Sequence, residues 1–519
     1  MKEIPLCLIF LFFIKTCTST NYILPIHTIN IYYNESIIME DYLSKIFSEH
    51  LYTNFIIGSE KEELKALINM SQIGFFIYEN AYNYNFSSSF QKSIESKNFY
   101  KKDQEEGYIA NDTLCLLPYT EKIDVNNINI KNCKDFEKVN FSLLKNKQKN
   151  IENNLYENYG IIGLQENTNQ DEYIMPLFIK SLKNTDVINS HTFSFHYLNN
   201  TKSGENEGYI LLGDEEFDED NGRVKSILSQ PKYGQVYWNL IFTKVIGGIN
   251  DCFNTSSDNH LRNFDIKDAQ LIGDLPYIVG VNEYKLYIRS VFFEELLMKD
   301  VCSLKNILLD EDYYTYVCDS KSDLFIEKFK NFPKLFFEHY DLDKTFILDQ
   351  YDLFTYNNIN KSDSNIYFLI FFSNKKEPYK PEFPGGNTII RWKLGIPFFK
   401  KYKLYFNADN RMITYYEKFN KNDNGNYNDN NDEENNKNGN NNNNKNSNRK
   451  NKNSTWIKVL IIGGLLIIFF ILGILFHKNI IRLPRKKKAN ELEDDYEYTI
   501  NPNTLDEKKA SLNNYEVSN

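Results

Sequence analysis

Residues 66–76 read ALINMSQIGFF, an apolar run interrupted by Asn69, Met70 and Ser71. A strand that carries polar groups at its centre delivers them to one place. The Asn69 amide can donate and accept hydrogen bonds there, but it cannot take up a proton as a base. Asn69-Met70-Ser71 is also an N-glycosylation sequon, as are the sites at Asn34, Asn85, Asn111, Asn140, Asn199, Asn254 and Asn360. Sulfur chemistry is sparse. Cys7 and Cys17 sit at the extreme N-terminus, leaving Cys115, Cys133, Cys252, Cys302 and Cys318. In an oxidising compartment some of these pair, with Cys302–Cys318 the first choice and Cys115–Cys133 the second. The spacings contain no CxxC or Cys/His pattern, so no metal site and no cofactor is expected.

The elements that position these groups are mostly strands. Of the 519 residues, 37 are Tyr and 39 are Phe, a composition that favours sheets. Short apolar runs such as NFIIG, GFFIY, TLCLL, YGIIGL, GYILLGD, YWNLIF, AQLIG, YIVG and IYFLIFF are each bounded by Gly, Asn, Asp or Ser. Helical periodicity is clear only at Ser290–Lys299, with a second short helix expected over Leu324–Phe332. A net charge of −10 argues against nucleic acid as the main partner.

The ends of the chain set a compartment. Residues 1–20 carry the apolar run IPLCLIFLFFIK followed by small polar residues, a signal-peptide pattern. Residues 456–476 contain VLIIGGLLIIFFILGILF, long enough to cross a bilayer. The basic HKNIIRLPRKKK after it is expected to stay cytoplasmic. Residues 418–455 are Asn, Lys, Asp and Gly with almost nothing apolar, a disordered stalk, and 477–519 form a short tail. The layout is that of a single-pass type I protein of the secretory pathway or cell surface.

Several ordered segments resemble the pepsin-like aspartic protease family. They are YTNFIIGSEKEELKALINMSQIGFF (52–76), FSSSF with Gly107–Thr113, Tyr159–Leu164, FSFHYLNNTKSGENEGYILLGD (193–214), YWNLIFTKVIGG (237–248), AQLIGDLPYIVG (269–280) and WKLGIPFFKKYKLYFNADNRMITYY (392–416). The resemblance implies an all-β, bilobal fold, with lobes at 21–245 and 246–417, and a layout similar to the plasmepsins. It also implies that Asn69-Met70-Ser71 and Ile272-Gly273-Asp274 stand where the family has its two catalytic Asp-Thr/Ser-Gly turns. Tyr100 falls at the family's flap tyrosine, with Lys101 and Lys102 in place of small residues.

Those positions depart from the family's chemistry. Two carboxylates a few ångströms apart share one proton, and their closeness drives their pKa values apart. Asn69 cannot join such a pair, Ile272 offers no polar atom, and Asp274 stands two residues further on. Met70 removes the hydroxyl that braces the turn. The leading expectation is therefore a catalytically inactive, membrane-anchored member that binds a peptide or protein partner. An endopeptidase using Asp274 as a substitute acid and a β-rich adhesion ectodomain of another family stay open.

Overall fold

The computed structural model describes residues 21–30, 42–94, 96–98, 106–119, 133, 135–145, 158–165, 176–198, 206–215, 217–229, 238–248, 261–307, 313–355, 364–373 and 391–418. The leader, the candidate membrane span, the tail and the stalk beyond Lys418 lie outside the described residues. So do Tyr100, Lys101, Lys102 and Cys252. Among the described residues, no helix is long and apolar enough to cross a membrane.

The described chain is built mainly of β-sheet. Its backbone is an antiparallel run of six strands in the order Tyr22–Asn30, Gly208–Leu212, Thr192–Tyr197, Leu404–Asn407, Met412–Lys418 and Gly222–Leu228. Strands far apart in sequence meet where Phe193 pairs with Phe406, and their rings stack at 5.0 Å. Trp238 closes on the same pair, 5.8 Å from Phe193 and 5.1 Å from Phe406. Each such ring buried from water contributes about 2–3 kcal/mol, so this aromatic seam is a major adhesive of the fold.

Alternation of buried and half-exposed residues explains why individual strands form. In Glu49–Ile57 the buried Leu51, Thr53 and Phe55 alternate with half-exposed neighbours, the period of a strand with one face on the core. The strand then turns at Gly58 and returns as Glu62–Ile73. Four antiparallel strands, Arg262–Phe264, Lys244–Gly248, Lys334–His339 and Lys344–Leu348, build a further sheet in the second half. The helix expected at Ser290–Lys299 is the end of a longer helical run, Asn282–Ile288, Arg289–Phe293 and Glu294–Met298, with a π turn in its middle. The short helix near Leu324 spans Asp323–Lys330.

Both expected disulfides are present. Cys115–Cys133 closes a separation of 18 residues and Cys302–Cys318 one of 16, each worth about 3 kcal/mol by restricting the unfolded chain. Cys302 and Cys318 stand directly opposite each other on adjacent antiparallel strands.

A candidate site at the junction of two repeated strand motifs

The chain builds one unusual strand arrangement twice. In the first copy, Glu62–Ile73 runs parallel to Gly160–Gln165, with Ala66 opposite Gly160 and Asn69 opposite Gly163. Phe75–Tyr78 lies on the other side of Gly160–Gln165, antiparallel to it, and parallel to Asp135–Leu144. In the second copy, Asp268–Leu271 runs parallel to Trp392–Leu394, with Leu271 opposite Leu394. Ile278–Gly280 lies antiparallel to Trp392–Leu394 on its other side and parallel to Ile370–Ser373.

The registers equate the two copies residue by residue. The Ile272 amide donates to the Leu394 carbonyl at 2.9 Å, which continues the register and sets Ile272 beside Gly395. Asn69 and Ile272 are thus equivalent. Phe76 faces Ile161 and Val279 faces Lys393, each seven positions after Asn69 and Ile272 respectively (76 − 69 and 279 − 272), so the intervening loops have the same length. It follows that Met70 matches Gly273 and Ser71 matches Asp274.

The same equivalence explains two glycines. Each loop crosses over the end of the inserted strand, and the crossing leaves no room for a side chain. A Cβ on Gly163 would meet the Gln72 and Gly74 carbonyl oxygens at 2.4 and 2.7 Å. On Gly395 it would meet those of Leu275 and Tyr277 at 2.2 and 2.0 Å. Only glycine permits so close a backbone approach.

At the meeting of the two copies, the crossing bonds join equivalent turns. The Met70 amide donates to Asp274 Oδ1 at 2.9 Å, and the Gly273 amide donates to the Met70 sulfur at 3.0 Å. Tyr197, from the central sheet, donates its hydroxyl to the Gly273 carbonyl at 2.5 Å. Within the first turn, the Ser71 amide donates to Asn69 Oδ1 at 2.8 Å. The amide oxygen of Asn69 is therefore spent on its own turn, leaving its NH2 as the group it can offer outward.

Met70 and Ile272 are buried, Asn69 and Asp274 are half-buried, and Ser71 is exposed. Burial pushes the Asp274 carboxyl up to about 6, partly countered by the N–H bonds it receives from Met70 and from its own backbone. Burial also drives the Tyr197 phenol well above its ordinary range, with the negative charges of Asp274 and Glu49 adding to the effect. Tyr197 therefore stays protonated and serves as a donor.

A buried carboxylate fixes the flanking loop. Asp112 accepts from the Tyr82 hydroxyl, from Ser89 Oγ at 2.5 Å and from the Thr113 amide at 2.7 Å. This ties the FSSSF loop to the strand Glu106–Pro118, two parts of one segment that the sequence singles out.

Ser194, His196 and Glu215 form a grouping that the sequence did not reveal. Ser194 Oγ lies 2.8 Å and Glu215 Oε2 3.5 Å from the same ring nitrogen of His196, Nε2. A nucleophile relay needs its two partners on opposite ring nitrogens. With Ser194 only 1 % exposed and His196 only 6 %, the group is a core contact. Among the described residues, no cluster of His, Cys, Asp or Glu could hold a metal ion.

The sequence therefore located both turns but not their connection. Tyr197 was missed because its partner is 76 positions away, and the strand FSFHY gives no sign of which tyrosine reaches across. Compared with known proteins, the chain matches no family model, and no curated protein matches it.

Proposed function

We propose that the chain is a catalytically inactive, pepsin-like aspartic protease homologue that binds a peptide or protein partner between its two lobes. The observation that carries this reading is the equivalence of Asn69 and Ile272. The resemblance assigns the two catalytic aspartates to these positions, and the repeated strand motifs with their joined turns support the assignment. An amide and an alkyl group there cannot share a proton, so water is not activated. In this reading the lobes lie in the lumen or outside the cell, held on a stalk by a single helix at 456–476, in keeping with the two disulfides.

The enzymatic alternative draws on Asp274, whose carboxyl titrates near the range of an acid–base group. Its geometry favours a structural role, because one oxygen is occupied by the Met70 amide and no second carboxylate stands beside it among the described residues. The test is incubation of the full chain, in detergent micelles, with a random peptide library at acidic pH. Retention of intact peptides without cleavage is expected. Pepstatin-sensitive cleavage that Asp274→Ala abolishes would overturn the proposal and establish the alternative.

A further inference from the structure

One row of side chains beside the Ile272 turn differs between the two copies of the motif in a way that the fold does not require. Residues directly opposite each other in neighbouring strands project from the same face. In the second copy Asn239 lies opposite Gln270, Gln270 opposite Lys393 and Lys393 opposite Val279. Trp392 and Leu394, on either side of Lys393, are buried in the core, so Lys393 and its row occupy the other face of the sheet. The equivalent row of the first copy is Tyr52, Leu67, Ile161 and Phe76. There Ile161 and Phe76 form an apolar cluster with Leu144. An isoleucine thus meets the packing needs of this position, and a lysine adds a charge that is costly to desolvate.

Among the described residues, no ion pair includes Lys393, which is half-buried. Arg391 brings a second positive charge two positions earlier, about 7 Å along the chain. It is turned to Asp268 at 3.9 Å, and its Nη1 is buried without a hydrogen-bond partner. Burial and the neighbouring Arg391 hold the Lys393 amine below its usual range. At the far end of the row Asn239 is fully buried, and neither the oxygen nor the nitrogen of its side-chain amide has a hydrogen-bond partner. Buried polar groups are otherwise almost always paired. The row thus offers donors and no balancing charge. With Asp268 offsetting Arg391, the positive charge of Lys393 is left over, and a single carboxylate balances it. We propose that Lys393 heads a carboxylate-binding subsite, flanked by Arg391 and Gln270 with the Asn239 amide at the inner end of the row, and that the peptide partner places an acidic group there. This inference rests on the peptide-binding reading and names the chemistry of its ligand.

The test uses the full chain in detergent micelles and two random peptide libraries, one with free and one with amidated C-termini, and sequences the peptides retained. Asp or Glu enriched about tenfold in the amidated library is the expected result. The net charge of −10 selects against acidic peptides in general, so such enrichment has a local cause. Retention confined to the free C-termini, without Asp or Glu, supports the subsite and assigns it the terminal carboxylate. Lys393→Gln should erase the preference and Lys393→Arg should keep it. Peptides retained by the native chain with no preference for a carboxylate overturn this inference and leave the peptide-binding reading standing. That outcome needs no variant, which covers the case where Lys393→Gln does not fold. A preference unchanged in folded Lys393→Gln also overturns the inference, by assigning it to another group. No retained peptide at all overturns both.

Discussion

Met70 and Gly273 hold equivalent places in two copies of one strand motif, and the Gly273 amide donates to the Met70 sulfur at 3.0 Å. Because Gly273 has no side chain, nothing on it can return the contact. The return bond comes instead from the next residue, Asp274, which accepts from the Met70 amide. The junction is thus crossed but asymmetric: a thioether on one side and a carboxylate on the other.

That asymmetry makes Met70 expensive to lose. Met70→Ala removes a buried side chain that is 2 % exposed and leaves the Gly273 amide unpaired. A cost of about 3–5 kcal/mol is expected in chemical denaturation, with an unchanged m-value. Met70→Leu keeps the volume and loses only the acceptor, so it should cost about 1–2 kcal/mol. A Met70→Leu variant as stable as the native chain would show that the sulfur contributes packing alone.

Tyr197 gives a smaller, cleaner test. Tyr197→Phe leaves the ring stacked 6.0 Å from Phe195 and removes only the hydroxyl bonded to the Gly273 carbonyl. Stability should fall by about 1–2 kcal/mol in thermal unfolding, and hydrogen-exchange protection should drop in residues 270–277 before other segments. A loss spread evenly over the molecule would contradict a local role at the junction.

Ile272 is the position where restoring an acid is hardest. Ile272→Asp replaces a side chain that is 6 % exposed with a buried carboxyl. Its folded-state pKa is then raised above the unfolded value. The variant should therefore lose about 3 kcal/mol or more at neutral pH and recover part of this as the pH falls through the raised folded value to about 4, with no further gain below it. Melting curves across that range check the sign. Asn69→Asp, at a half-buried site, should cost less than about 1.5 kcal/mol, and neither single variant should cleave peptides.

The crossing glycines test the repeat itself. Gly163→Ala and Gly395→Ala both place a methyl group against backbone carbonyls, with the closest approaches 2.4 and 2.0 Å. Each should cost several kcal/mol, about 3 or more, and the Gly395 variant should be the worse. Expression yield and melting temperature give the ranking, and a tolerated substitution at either glycine would refute the close crossing.

Much of this architecture was legible because apolar runs bounded by turn residues are a local signal. Ala66–Ile68, Tyr159–Leu164, Ala269–Ile272 and Trp392–Leu394 all lie in or against the strands that build the two motifs. Asp135–Leu144 was missed, since DFEKVNFSLL carries three charged residues in its first half and becomes apolar only at its end. The helix Tyr42–Phe47 was missed for a different reason. It has only six residues, too few for a helical period to show, and it is held by packing of Leu43 and Ile46 near Val317 and Phe371. The place of Asp274 in the sequence was readable, but its role was not. A carboxylate two positions beyond the expected one reads as a displaced catalytic acid until its partner, 204 residues away, is known to be a backbone amide.

The central sheet carries a consequence for the order in which the protein is made. Thr192–Tyr197 has Gly208–Leu212 on one flank and Leu404–Asn407 on the other, and Gly222–Leu228 pairs with Met412–Lys418, near the far end of the described chain. A ribosome that has finished the first half has therefore produced a sheet with an open apolar flank around Phe193. Closure waits for residues synthesised some 200 positions later. A transcript interrupted before Leu404 would yield a sticky fragment for the quality-control machinery, and the last strands would be the step at which biosynthesis succeeds or fails.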